Sequence, residues 1–77
     1  MVLWLQCQSL ERGVELLRLF HTRGIGRRFD LKRLDGDEWR LWIGLSEPPP
    51  VDLFNRIRGY VFDTQGLPES LVRMISP

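Results

Sequence analysis

The stretch Arg27 to Leu45, RRFDLKRLDGDEWRLWIGL, constrains the fold more than any other, because its own residues choose how two strands can pair. A two-residue turn at Asp35-Gly36 would put Lys32 opposite Trp39 and Leu31 opposite Arg40, mixing charged with apolar groups on each face. A three-residue loop, Leu34-Asp35-Gly36, ending on the positive φ that Gly36 supplies, shifts the partners by one. Leu31 then faces Trp39 and Phe29 faces Leu41, while Lys32 meets Glu38, Asp30 meets Arg40 and Arg28 meets Trp42. Each of these pairs is chemically compatible. The expected hairpin has an apolar core face and an ion-paired outer face, and Trp42 on the outer face is left without a structural reason.

Upstream, Val2 to Gln8 alternates, with Leu3, Leu5 and Cys7 on one side and Val2, Trp4, Gln6 and Gln8 on the other. That is strand periodicity, with the first set as the core face. Ser9 reads as an N-cap, and Glu11 falls in a first turn, where the helix dipole favours an acid. Leu10, Val14, Leu17 and Phe20, joined by Leu16, follow helical spacing. Gly24 is placed as the left-handed residue that closes the helix, with Ile25 set to touch Phe20. The spacing predicts a helix over 10–23.

Beyond the hairpin, Ser46 and Pro48-Pro49-Pro50 turn the chain, Pro50 being suited to a first helical turn. Val51, Phe54, Ile57 and Val61 form a stripe broadened by Leu53 and Tyr60, which predicts a second helix stopped by Gly66. On its wet face Asp52 and Arg56 have the i,i+4 spacing of an ion pair. Gly59 inside that helix costs up to ~1 kcal/mol relative to alanine, which points to close packing against a neighbour. Pro68 opens a last short helix, Glu69 to Ile75, whose Leu71, Val72 and Ile75 cap the core.

The resulting order, β-α-β-β-α-α, implies an α+β two-layer sandwich: a three-stranded antiparallel sheet with helices on one face. The first strand sits beside the third, with the first helix carrying the chain across by a right-handed route. This is a split β-α-β arrangement lacking its final strand. The first strand is then an open edge, and its Leu3-Trp4-Leu5 has no lysine or proline to blunt it. The outer face displays Trp4 and Trp42 among Gln6, Arg28, Lys32 and Arg40, unless the last helix folds over it and makes both rings core.

Composition narrows the functional classes. Seventy-seven residues make one domain, spanning 1–77, and such a chain buries roughly 60% of its unfolded surface. Its 43% hydrophobic and 27% charged residues are globular proportions, and a net charge of +1 exerts no global pull on nucleic acid or anionic membrane. The single cysteine, Cys7, rules out an internal disulfide framework and a multi-cysteine metal site, and its place in an apolar strand makes it a core residue. The amino end lacks the charged leader of a signal peptide, and no segment approaches the ~18 apolar residues of a membrane span. A reducing, cytoplasmic setting and no membrane association are expected.

No motif supports catalysis or a cofactor. His21 is the one histidine, placed near a helix C-terminus where a cation suits the dipole. Asp35, Asp37 and Glu38 lack the ligand count of a calcium loop, so no metal is expected. The basic stretch Arg23, Arg27, Arg28, Lys32 and Arg33 includes a glycine-rich loop, but one that follows a helix C-terminus rather than preceding a helix, the wrong polarity for phosphate.

The leading expectation is a small non-enzymatic binding protein, a regulator or inhibitor of the kind mobile elements carry, taking no small-molecule substrate. It would occupy a protein partner through the open sheet face and the first strand's edge, with that edge also joining a homodimer. Trp4 and Trp42 would form the desolvated anchor, and Arg28 and Arg40 the polar contacts around it. The alternative is an RNA- or DNA-binding module using the same face with Arg23, Arg27, Arg28 and Lys32. No family is indicated, and with a fourth strand and an aromatic RNA-binding motif both lacking, comparison with RNA-recognition domains stops at layout.

Overall fold

A computed structural model of the chain describes residues 1–75. The elements are β1 (Val2–Cys7), α1 (Leu10–Thr22), β2 (Arg28–Arg33), β3 (Trp39–Gly44), α2 (Val51–Ile57), a 3₁₀ turn at Arg58–Tyr60, β4 (Val61–Gln65) and α3 (Glu69–Ile75). The fold is α+β, with an antiparallel sheet and three helices, as expected. The sheet, however, has four strands, in the order β2-β3-β1-β4. This is the split β-α-β layout with its final strand present and a helix added after it.

The ends of α1 form as its residues dictate. The Ser9 hydroxyl accepts from the Arg12 amide at 3.1 Å. At the other end the Gly24 amide donates to the His21 carbonyl (3.0 Å) and the Ile25 amide to that of Phe20 (2.9 Å). Gly24, at φ +67°, thereby closes a two-bond C-terminal cap. The buried stripe is rotated from the expected one: Gly13, Leu16 and Phe20 face the sheet, while Leu10 is 47% exposed. Gly13 permits this rotation. A Cβ there would stand 2.9 Å from Leu31 Cδ1 and 3.4 Å from Cys7 Sγ, so the helix rides closer to the strands than a side chain would allow unless the tip of Leu31 moved aside.

The β2–β3 hairpin keeps its expected faces but not its expected partners. The loop is Asp35-Gly36-Asp37, closed by the Leu34 amide donating to the Glu38 carbonyl at 2.7 Å. Phe29 pairs with Ile43, Leu31 with Leu41 and Arg33 with Trp39 on the core side; Asp30 pairs with Trp42 and Lys32 with Arg40 outside. The register is therefore displaced by two positions, a shift that leaves every side chain on its original face. Lys32 opposite Arg40 is tolerated because each turns elsewhere: Lys32 lies 3.8 Å from Asp30, and Arg40 reaches across to Gln6 on β1.

The larger correction concerns the second half of the chain. α2 ends at Ile57, and Val61–Gln65, expected to continue the helix to Gly66, is instead strand β4 against β1. The physical cause is non-local. A strand with Leu3 and Leu5 fully buried cannot leave its second row of amides and carbonyls unpaired, and β4 supplies the partners. Gly59 weakens helical continuation at this point and meets open space, so it serves no close packing. Val61 and Thr64 pair with Leu5 and Leu3, and the bulge between them throws Phe62 outward, 54% exposed.

β1 is consequently an interior strand, which overturns its expected role as an open, partner-recruiting edge. The actual edges are β2, studded with Arg28, Asp30, Lys32 and Arg33, and β4, short and bulged with Asp63. Both carry features that discourage edge-to-edge pairing. One core joins the layers: Leu3, Leu5, Cys7, Leu41 and Ile43 from the sheet meet Leu16, Phe20, Leu53, Phe54, Ile57 and Leu71 from the helices. α3 packs against α2 and the 3₁₀ turn, so it belongs to the helical layer.

Candidate functional site on the helix-free sheet face

With Leu3, Leu5, Leu41 and Ile43 in the core, strand alternation sends their neighbours to the opposite face. There Trp4 and Trp42 are direct cross-strand partners on the two central strands. Trp42 also pairs with Asp30, and Trp4 with Asp63, so a transverse row Asp30–Trp42–Trp4–Asp63 crosses all four strands. Both indoles are half-buried, and they border a shallow concavity of about 660 Å³ lined also by Arg28, Lys32, Leu34 and Arg40.

Gly44 shapes this surface. The six-membered ring of Trp42 lies over it, with Cη2 3.1 Å and Cζ3 3.3 Å from where a Cβ would stand. The indole thus lies along its own strand in the slot that a missing side chain leaves. On the other side of the indoles Arg40 is fixed by several contacts. Its guanidinium stacks over the Phe62 ring at 4.0 Å and donates to Gln6 Oε1 at 3.4 Å, while Gln6 Nε2 donates to Glu38 Oε2 at 3.2 Å. Among the described residues the buried Arg40 Nε finds no hydrogen-bond partner. A desolvated donor of this kind costs about 1–3 kcal/mol.

The face is close to charge-balanced. Arg28, Lys32 and Arg40 are offset by Asp30, Asp63 and Glu38 on the same side. The other expected basic contacts are dispersed. Arg28 and Lys32 are on this face, but Arg27 sits in the loop, its amide extending the ladder to the Gly44 carbonyl at 2.8 Å. Arg23 is on the helical side, held bidentately by Asp52 at 3.0 and 3.4 Å. Asp52 therefore pairs with Arg23, not with Arg56, and the Arg23 guanidinium holds the Asp52 carboxyl below its ordinary value.

The remaining sequence candidates take structural positions. Cys7 is buried, its thiol directed at the carbonyls of Ser9 (3.5 Å) and Trp39 (3.8 Å). His21 is exposed and meets the Phe29 ring edge-on at 6.3 Å. Glu38, expected to pair with Lys32, engages Gln6 instead. Among the described residues no histidine, cysteine or carboxylate cluster could hold a metal ion, and no helix is long and apolar enough to cross a membrane.

Two contributors to the face were missed from sequence. Phe62 looked like part of a helix, although Val61-Phe62 and Thr64 ahead of Gly66 have strand composition. Gly44 drew no notice because its role depends on the neighbouring indole. No family model, curated protein or solved structure matches the chain.

Proposed function

We propose that the chain is a small, non-enzymatic binding protein that acts in the cytoplasm by occupying a protein partner through its helix-free sheet face, as a regulator or inhibitor. The observation that carries this reading is the Trp4–Trp42 pair on the two central strands, half-buried at an open concavity. Large aromatics beside an arginine are the side chains that most often anchor protein contacts. Arg40, held by Phe62 and Gln6, meets a partner with little further loss of side-chain freedom. The mixed charges around the indoles suit a protein rim better than a polyanion. With both sheet edges blunted, self-association uses this same face, so a homodimer and the partner complex are mutually exclusive.

The test is affinity capture with the wild-type chain beside Trp42→Ala and Arg40→Ala, each checked for an unchanged circular dichroism spectrum. One interacting protein should be lost with both folded variants; equal recovery would place the interface elsewhere. A strict monomer by sedimentation at high micromolar concentration would remove the homodimer.

One observation favours a second reading. Aromatic residues on the central strands of a β-α-β-β-α-β sheet occupy the positions from which RNA-recognition sheets stack bases. Against it stand Asp30 and Asp63 at the two ends of the indole row, where they repel phosphate. Fluorescence polarisation with single-stranded RNA at low salt decides between them: binding that weakens steeply with salt and is lost in Trp42→Ala would select this second reading.

A further inference from the structure

On the opposite side of the sandwich, α1 and α2 are separated by a groove of about 560 Å³ that the sheet-face reading does not use. Its floor is apolar, formed by Leu16, Leu19 and the ring of Tyr60, and its walls carry Arg12, Arg18, Arg23 and Arg56 against a single carboxylate, Glu15. With Glu15 on Arg12 and Asp52 on Arg23, the excess positive charge of the groove rests on Arg18 and Arg56.

The four arginines are not equivalent. Arg12 is engaged by Glu15 at 2.8 Å and leans over Tyr60 at 5.8 Å, while Arg23 is engaged by Asp52. Among the described residues no carboxylate lies within 4.0 Å of Arg18 or Arg56. The two ion-paired arginines fix the groove's walls, and the two unpaired ones offer planar forks suited to bidentate carboxylate recognition.

We propose that this groove is a second docking site, which receives an acidic amphipathic segment of a partner protein. Carboxylates of the segment pair with Arg18 and Arg56, and an apolar side chain between them settles on Leu19 and Tyr60. The partly exposed Leu19 and Tyr60 select this occupant over nucleic acid, which would meet the arginines but leave that apolar surface uncovered. Recognition is of the helix-in-groove or extended-segment kind, with charge complementarity setting partner choice.

The experiment uses a fluorescein-labelled synthetic peptide of alternating glutamate pairs and leucines, a lysine-for-glutamate counterpart, and a short DNA duplex. Binding is read by polarisation at low salt and mapped by amide chemical shifts. The acidic peptide should bind, shift amides of α1 and α2, and lose roughly tenfold or more in affinity with Arg18→Glu/Arg56→Glu, in line with loss of charge-assisted pairs. The milder Arg18→Gln/Arg56→Gln variant guards against misfolding and should lose less. Trp42→Ala should leave this affinity unchanged, which separates the groove from the sheet face. Absence of peptide binding, shifts confined to the sheet face, equal affinity for the basic peptide, or arginine-dependent binding of the duplex alone would each overturn the proposal.

Discussion

The Trp42 indole lies across Gly44, with its Cη2 3.1 Å from the position a Cβ would occupy. Two positions along one strand are thereby coupled, since the orientation of the indole depends on the emptiness beside it. Gly44→Val should push the ring off the sheet and change its fluorescence and indole N–H shift. Stability should move by less than about 1 kcal/mol, because valine suits a strand and this face is not the core. Partner capture should fall as it does for Trp42→Ala. An unperturbed indole signal in Gly44→Val would show that the slot does not set the ring's orientation.

Local rules made much of this architecture legible. Ser9, Gly24 and Ile25 marked α1 because caps are short-range chemistry, and alternation in Val2–Cys7 and Trp39–Gly44 set the correct faces. The largest miss was non-local. Val61 prolongs a helical stripe in sequence, and the strand composition of Val61–Gln65 is realised because β1 needs a second partner. The hairpin's displacement by two escaped for a different reason: both registers keep every side chain on the same face, so alternation cannot separate them. The site inherited both outcomes: the tryptophans were placed on the correct face, while β1 lost its edge and Phe62 went unseen.

Gly13 offers a test of how tightly α1 rides on the sheet. Alanine there would gain up to ~1 kcal/mol of helix propensity, but its methyl would press on Leu31 Cδ1 at 2.9 Å, and Leu31 is only partly buried and can yield. Gly13→Ala should therefore be close to neutral. Gly13→Val adds branches that cannot be accommodated by moving one methyl, and should cost about 1–3 kcal/mol by urea denaturation. Equal stability of both variants would mean that the helix can lift without penalty.

Acid should weaken the link between the two helices. The Asp52 carboxyl is held below its ordinary 3.8, first by the hydrogen bond from Arg23. A carboxyl depressed in the folded state contributes stability above its unfolded pKa and loses it as pH falls through the folded one. The contribution is therefore intact at neutral pH, begins to fall as pH drops below about 4, and is gone only once pH has passed below the depressed folded value. Both groups are solvent-exposed, so the effect is small. Asp52→Asn should flatten that part of the acid-stability profile, and Arg23→Gln should return the Asp52 titration, followed by carboxyl carbon shifts, to its ordinary range.

Arg40 separates stability from binding more sharply than any other residue. Its Nε is buried without a partner among the described residues, while its guanidinium rests on Phe62, itself 54% exposed. An exposed cation–π contact contributes about 0.5–1 kcal/mol, and the unmet donor costs about 1–3 kcal/mol. With the hydrogen bond from Arg40 to Gln6 Oε1 counted beside the stacking, the favourable and unfavourable contributions nearly cancel, so folding alone does not account for an arginine here. Arg40→Met keeps an apolar stem over the Phe62 ring and removes the unmet donor; its stability should equal or exceed that of the wild type by thermal denaturation. If the sheet face binds a partner as proposed, the same substitution should weaken that complex, because the oriented guanidinium is lost. A marked fall in stability would instead make Arg40 a structural element of the sheet, and undiminished binding would remove it from the interface.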